Sequence, residues 1–285
     1  MRHAVLIMGN SNPDGVSYVV NQLKDPDIEF FLHWDKSSQI DIRKYLTQNS
    51  LNEINVIEPV HVSWGSSTLV NAQLDLFEAA HKSKFDYYHL ISDKDVALMD
   101  PEYFKKFFEN SDKEYVGFSK NMKKIDERLK YYYPFENFDI SKRKKEFLDK
   151  LLCNIQKFFK VNRLKNMFIE IKKGENWCSL TDAAVSALID RRDFFENVLK
   201  NTTKSDELYI QTVLWNSDVF QEKMNDCLDE HDASLRYIDW NRGQPYEFTD
   251  NNYDEISQVF NTKYAFIRKI SIDNNPGLKK LLRTH

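Results

Sequence analysis

Residues 87–100, "YYHLISDKDVALMD", run a mostly apolar stretch straight into two aspartates, Asp93 and Asp95, with Lys94 between them. Two carboxylates so placed at the end of a buried strand could grip a divalent ion bridged to a diphosphate, because hard cations take carboxylate and phosphate oxygens as ligands. They could equally work without metal, accepting hydrogen bonds that hold the strand-end loop or a bound sugar. Lys94 would offset part of their charge, although alternation along an extended segment points it away from both. Two further polar stretches close apolar runs in the same way: "MGNSN" brings Gly9 and Asn10, and "LHWD" brings His33 and Asp35.

The elements that must position these groups are written in hydrophobic periodicity. "HAVLIMG", "VSYVVNQLK", "IEFFLHWD", "IDIRKYL" and "INVIEPV" read as strand, helix, strand, helix, strand. Strands rich in β-branched and aromatic residues, apolar on both faces, suit a parallel sheet covered by helices on both sides. "SSTLVNAQLDLFEAAHKS" follows as a helix, with Ser66 or Ser67 as N-cap and Leu69, Leu74 and Phe77 among its buried positions. After the fourth strand, Pro101 opens another helix, where its missing N–H costs no hydrogen bond. The expected fold class is α/β, with a Rossmann-like, mostly parallel central sheet. In such an open sheet the ligand crevice lies outside the carboxyl ends of the strands, where Gly9, Asn10, His33, Asp35, Asp93 and Asp95 all fall. Neither G-x-G-x-x-G nor G-x-x-x-x-G-K-[ST] occurs, so the dinucleotide and P-loop fingerprints are absent. A sugar nucleotide remains the natural ligand for this crevice.

Composition sets the outer bounds. A chain of 285 residues, 41% hydrophobic and 14% aromatic, can bury the core of one large domain. No run approaches the roughly 20 apolar residues that span a bilayer, and the short apolar start passes directly into polar loop, so a cytoplasmic location is expected. Cys153, Cys178 and Cys227 are widely spaced and read as packing thiols rather than as a disulfide framework or a zinc site. The net charge of −4 hides an asymmetry: Lys120 to Lys173 holds 16 Lys+Arg against 7 Asp+Glu, a local +9 that leaves −13 elsewhere. Such a segment is either a solvated helical insertion or a surface for an anionic partner. With Tyr131, Tyr132, Tyr133 and Phe135 set among its lysines, it is expected to touch anionic lipid at the inner face of a membrane. A nucleic-acid surface would interleave aromatic and basic residues in the same way, but the acidic remainder argues against it, and no nucleic-acid partner is expected.

Six segments, in order, resemble the core-2/I-branching β-1,6-N-acetylglucosaminyltransferase and peptide O-xylosyltransferase family, over about Ala4 to Lys269. "HWDK" looks like the family's H-x-D-[RK] strand end, and "VSWGSSTLVNAQL" is similar to its V-x-W-[GA]-x-x-S-[LV]-V-x-A-x-L helix start. "YYHLISDKDVAL" sits where the family has Y-x-x-L-x-S-G-x-D-x-P-L, and "GENWCSLT" resembles G-[SE]-x-W-x-x-L-[ST]. "SDELYIQTVLWNS" and "LRYIDWNRGQPYEFT" resemble [ST]-x-D-E-x-[FY]-x-Q-T and R-x-[IV]-[DN]-W-x-x-G-x-P-x-x-[FL]-[TS]. The basic stretch is the poorest match.

The resemblance implies a metal-independent, inverting glycosyltransferase of GT-A type, a bacterial member, that moves a sugar from a UDP-sugar to an acceptor hydroxyl. The family's catalytic base falls on Glu207, which the local pattern places with Asp206 in the first turn of a helix capped by Ser205. Acids are favoured there by the helix dipole alone, so the role rests on the resemblance. The family lysine that stabilises the leaving diphosphate falls on Lys269, with Arg268 beside it. An arginine that some members carry after the G-x-P block is missing, which leaves Arg242 and Lys263 as stand-ins. Asp95 is the family position of the D-x-D, whereas Asp93 replaces a glycine.

Trp64, Trp177 and Trp240 fall inside matched segments. Trp177 and Trp240, with Glu175, are expected on the acceptor side, and Trp64 is expected in the core. UDP-N-acetylglucosamine is the first-choice donor, with no cofactor, and the acceptor is a glycan, lipid-linked for a bacterial surface polysaccharide. Two other functions fit parts of the pattern: a metal-dependent D-x-D transferase using UDP-galactose, UDP-glucose or UDP-xylose, and a nucleotide-sugar-binding protein without activity. The chain divides into a donor-binding half over 1–119, a basic helical insertion over 120–173 and an acceptor and catalytic half over 174–285, all in one domain.

Overall fold

The computed structural model describes the whole chain except residues 64, 121–124, 137, 139, 166–168, 226–229 and 284–285, and leaves undescribed the side chains at 126, 127 and 142. Trp64, Cys227 and the Lys142 side chain therefore lie outside the described residues. The first third alternates as the periodicity dictates: β1 (His3–Gly9), α1 (Pro13–Gln22), β2 (Ile28–Trp34), α2 (Ile42–Gln48), β3 (Asn55–Val56), α3 (Ser67–His81) and β4 (Tyr87–Ser92). There follow β5 (Asp95–Ala97), α4 (Pro101–Glu109), β6 (Tyr115–Val116), α5 (Ile125–Lys130), α6 (Lys142–Phe158), β7 (Cys178–Thr181), α7 (Asp182–Asp190) and α8 (Arg192–Phe194). The last part holds α9 (Tyr209–Trp215), α10 (Asp218–Gln221), α11 (Glu230–Ala233), β8 (Arg236–Ile238), α12 (Tyr253–Val259), β9 (Phe266–Arg268) and α13 (Pro276–Leu281).

A six-stranded sheet runs β3-β2-β1-β4-β7-β6, and a smaller one runs β5-β9-β8. β1 to β4 pair parallel with one another, and β7 lies antiparallel to β4 and to β6. Because successive strand residues face opposite sides, β1 feeds two cores. Ala4, Leu6 and Met8 pack with α3, α7 and α9, while Val5 and Ile7 pack with α1, α2 and α4. This is the layered α/β architecture that runs apolar on both faces require. Truncating Leu6 to alanine would cost about 2–5 kcal/mol, since it is fully buried. A third apolar cluster, including Val96, Phe248, Ile256 and Ile267, sits under the small sheet.

Local chemistry sets the helix starts. Ser66 caps α3, accepting from the Thr68 N–H, and Asp100 caps α4 just ahead of Pro101. Leu74 and Phe77 are buried, but Leu69 is only half-buried. The strand expected over "INVIEPV" shrinks to Asn55–Val56, because it pairs with β2 alone at the sheet edge and Pro59 has no N–H to extend a ladder.

Candidate active site

The strand register fixes where the crevice lies: Met8 of β1 aligns with His33 of β2 on one side and Ser92 of β4 on the other. The chain therefore leaves all three strands at one edge. There Asp93 turns back, and its Oδ2 accepts the backbone N–H groups of Asn10, Ser11 and Asn12 at 3.0, 3.0 and 2.9 Å. The Asn12 side chain returns a bond to the Asp93 carbonyl at 2.8 Å. A Cβ on Gly15 would stand 2.3 Å from that carbonyl oxygen, so the helix start closes against the loop only with glycine there. Asp35 donates its backbone N–H to the Gly9 carbonyl at 2.9 Å, and its Oδ1 accepts the Ser37 N–H and hydroxyl, both at 2.8 Å. His33 is fully buried and accepts the Val60 N–H through Nε2 at 3.2 Å. Burial lowers its pKa. The structure thus brings Gly9, Asn10, His33, Asp35 and Asp93 together as the rim of the crevice, with their hydrogen bonds directed at the rim itself.

The second aspartate faces another way. Asp95 opens β5 opposite Arg268 of β9, and the Arg268 guanidinium bonds both carboxylate oxygens at 2.9 and 3.1 Å as well as the Ser92 hydroxyl. The same guanidinium lies 4.2 Å over the Trp177 ring, so Trp177 stacks on a cation next to the crevice. Lys269 follows, half-buried. Its pKa is lowered by burial first and then by the nearby charges of Arg268 and Lys94, against which Asp95 and Glu247 pull. Lys94 is exposed, and its carbonyl accepts the Ile270 N–H at 3.2 Å, which sets it beside Lys269. Among the described residues neither Lys94 nor Lys269 forms an ion pair. The stand-ins Arg242 and Lys263 are consumed instead: Arg242 binds Asp239 and Glu255, and Lys263 binds Asp232. Lys94 is exposed while Asp93 and Asp95 are buried, and alternation along the strand does not show that its charge acts on Lys269.

Glu207 ends a tight 3-10 turn, Ser205–Glu207, rather than the first turn of an α-helix capped by Ser205. Lys204 takes a left-handed φ of 53° and reverses the chain, Ser205 is buried with an unpartnered hydroxyl, and α9 begins only at Tyr209. That tighter path leaves the Glu207 carboxylate partly exposed among three cations. Arg128 approaches Oε2 at 3.1 Å, Lys173 approaches the same oxygen at 3.7 Å, and Lys204 approaches Oε1 at 3.5 Å. Arg128 comes from α5, so the basic stretch reaches the site. It also binds the carbonyls of Thr203 and Lys204 at 3.0 and 2.6 Å. Beside it, Asp206 is buried with one unpartnered oxygen. Burial and the adjacent Glu207 charge raise its pKa to about 7.

Short links join this carboxylate to the other groups. The Glu207 carbonyl accepts the Gly174 N–H at 2.9 Å, and a Cβ on Gly174 would lie 1.9 Å from the Gly117 carbonyl oxygen. Glycine thus lets the segment that carries Glu175 and Trp177 cross tightly beneath the turn. Glu175 binds the His231 Nδ1 at 2.9 Å and the Ser234 hydroxyl, so it is an anchor for α11. His231 stacks on Trp240 at 6.4 Å between centroids, and Trp240 is 53% exposed. These two rings line a cleft of about 410 Å³ with Asp232, Arg236, Tyr237 and Tyr264. Arg236 is 1% exposed. Its guanidinium is coated by the carbonyls of Ser234 and Cys178 at 2.7 Å and Leu90 at 3.2 Å, and by the Ser179 hydroxyl at 3.2 Å.

The core-2/I-branching enzyme family matches residues 16–263 of this sequence. The chain belongs to that family. No curated protein matches the chain significantly in sequence. Among solved structures, the crystal structure of S. aureus TarS 1–349 aligns with 76% of this chain and 56% of its own, at 12% identity and a TM-score of 0.40. The present chain thus spans just over half the length of that structure. Core-2/I-branching enzymes are glycosyltransferases that work without metal, and the mostly parallel sheet with helices on both faces is the α/β fold expected of a member. Within this member, Arg128 and Lys173 around Glu207, His231 and Ser234 around Glu175, and Lys94 beside Lys269 are the contacts the sequence left unassigned. Only the Lys204–Glu207 pair had a signal, its spacing of three residues. Among the described residues no helix is long and apolar enough to cross a membrane.

Proposed function

We propose that this chain is an inverting glycosyltransferase that moves a sugar, N-acetylglucosamine first, from a UDP-sugar to a hydroxyl of an acceptor glycan. Glu207 is the base. It takes the acceptor proton as the oxygen attacks the anomeric carbon from the face opposite UDP, and the bond from that carbon to the β-phosphate oxygen breaks. Lys269 meets the charge that develops on the departing phosphate, and Lys94 supplies the second cation that Arg242 and Lys263 cannot, both being held in ion pairs. The rim of Gly9, Asn10, His33, Asp35 and Asp93 shapes the donor pocket, and Asp95 holds Arg268 and Trp177 beside it. Residues 1–119 are the donor half and 174–285 the acceptor half, with Glu175, Trp177 and Trp240 on the acceptor side. No metal takes part, because Asp93 is occupied by three amides and Asp95 by Arg268. The setting is synthesis of a bacterial surface polysaccharide on a lipid-linked acceptor, with residues 120–173 touching an anionic membrane from the cytoplasmic side.

The observation that carries this reading is the short path from Glu207 through Gly174 to Trp177 and Arg268. Trp177 is three residues beyond Gly174, and Arg268 is the chain neighbour of Lys269, which supports a site shared by the carboxylate and the lysine. A screen of UDP-sugars for slow release of UDP against water tests it. UDP-N-acetylglucosamine should be consumed fastest and UDP should raise the melting temperature. Absence of UDP release from every sugar, together with no melting shift by UDP, would overturn it.

A further inference from the structure

We propose that the outward face of α6 is the surface that seats this protein on an anionic phospholipid bilayer; this rests on the proposed membrane contact and narrows it to one helix. Among the described residues the hydrogen bonds that hold α6 to the rest of the fold come from one side. Gln156 is buried and exchanges two bonds with the Tyr132 backbone, at 2.8 and 2.9 Å, and Lys145 binds the Glu136 carbonyl. The opposite face is apolar and open. Phe147 is 68% exposed, Leu151 48%, Ile155 45% and Phe158 81%, and Phe159 follows at 71%. Spacings of four, four and three residues set the first four on one stripe, about 16 Å long at 1.5 Å per residue. Phe158 and Phe159 meet edge to face at 5.3 Å, which keeps two large rings together at the end of the stripe.

The charges beside the stripe name its occupant. Arg143, Lys150 and Lys157, seven residues apart, form an exposed row along one flank, whereas Lys144 lies two turns before Leu151, in line with the stripe. Seven residues are two helical turns, so the row runs parallel to the stripe. An apolar stripe bordered by basic side chains is the pattern of a helix lying in the headgroup region, where rings enter the acyl boundary and long cationic side chains reach back to phosphates. A second copy docked through the same stripe would bring two rows of like charge together. Soluble monomers rarely leave contiguous apolar patches of this kind bare, and the side chains at issue touch neither the crevice nor the cleft beside Trp240.

The test is co-sedimentation of the full-length protein with vesicles, about one-third phosphatidylglycerol in phosphatidylcholine against phosphatidylcholine alone, at about 0.15 M salt. The wild type should pellet with anionic vesicles at least tenfold more than with neutral ones. The triple variant Phe147→Ser, Leu151→Ser, Phe158→Ser and the double variant Arg143→Glu, Lys150→Glu should each lose about tenfold in binding, with the UDP-induced melting shift unchanged as a check on folding. The tryptophan introduced by Leu151→Trp should shift its emission to the blue with anionic vesicles only. Failure of the wild type to pellet with anionic vesicles would overturn the membrane contact as a whole. Wild-type binding that survives the serine variant, with no emission shift, would overturn the assignment to α6 while leaving a membrane contact elsewhere. A dimer broken by the serine variant, with no vesicle binding, would give the stripe to a second copy.

Discussion

Two pairs of carboxylates look alike in sequence and have opposite fates in the fold. Asp93 and Asp95 close β4 and open β5, and their oxygens are engaged by three loop amides and by Arg268. Asp206 and Glu207 share a tight turn. One of them is buried with a raised pKa, and the other stands partly exposed among Arg128, Lys173 and Lys204. The first pair has its lone pairs spent on architecture. The second separates its members into one acid that readily holds its proton and one set among three cations. The two pairs thus differ in their partners: three backbone amides and the Arg268 guanidinium hold the first, whereas Glu207 of the second faces the Arg128 guanidinium and the more distant Lys173 and Lys204.

The largest expected effect breaks the second pair. Glu207→Gln should lower transfer by about a thousandfold, within the range for a lost general base, and should leave UDP affinity nearly unchanged. Loss of only a fewfold would return Glu207 to the ranks of helix-turn acids. Next, Lys269→Ala should cost about a hundredfold in turnover and weaken UDP more than UMP, since the lysine serves the distal phosphate. Equal affinity of wild type and variant for UDP would remove it from the site.

The first pair should fail differently. Asp93→Ala frees three N–H groups at the rim and should cost about 3 kcal/mol of stability by urea titration, while transfer by the wild type survives excess EDTA. If chelation stops the reaction and manganese restores it, the two aspartates are metal ligands after all and the contrast collapses. The smallest effect concerns Asp206. Its pKa is raised in the fold to about 7 from 3.8, so the fold binds a proton that the unfolded chain has released between those values. Stability from this proton is fully present below about pH 4 and is lost as pH rises through about 7. Asp206→Asn should therefore flatten the decline in melting temperature between about pH 5 and pH 8; a wild-type curve already parallel to that of the variant would refute the assignment.

Much of the frame was legible from hydrophobic periodicity, because β1, β2 and β4 are buried on both faces and α1 and α3 carry their caps and apolar stripes in local sequence. The strand ends were legible for the same reason, since a polar residue after an apolar run must leave the sheet. The partners of those residues were not. Whether Asp93 faces a ligand or the Asn10 to Asn12 amides depends on a contact more than 80 residues away in sequence, and Arg128 reaches Glu207 across a similar gap. The helix expected from Ser205 failed because a left-handed Lys204 and two buried polar side chains override local capping preference. The small sheet of β5, β9 and β8 was unreadable at three residues per strand, too few for a period to register.

Arg236 has a consequence for ionic strength. Its charge is sealed beneath the surface and solvated by protein oxygens, with Cys178 and Leu90 carbonyls in place of water. Mobile ions gather around charges they can approach, within a Debye length of about 8 Å at 0.15 M salt, and screen buried charges far less. Part of the positive potential under the crevice therefore cannot be titrated away by adding salt. An anionic donor should be held with a shallower dependence on ionic strength than Lys94 and Lys269 alone would give, whereas attachment of the exposed α6 lysines to a charged surface should fall away steeply. Concentrated salt would then lift the protein from its surface before it empties the pocket.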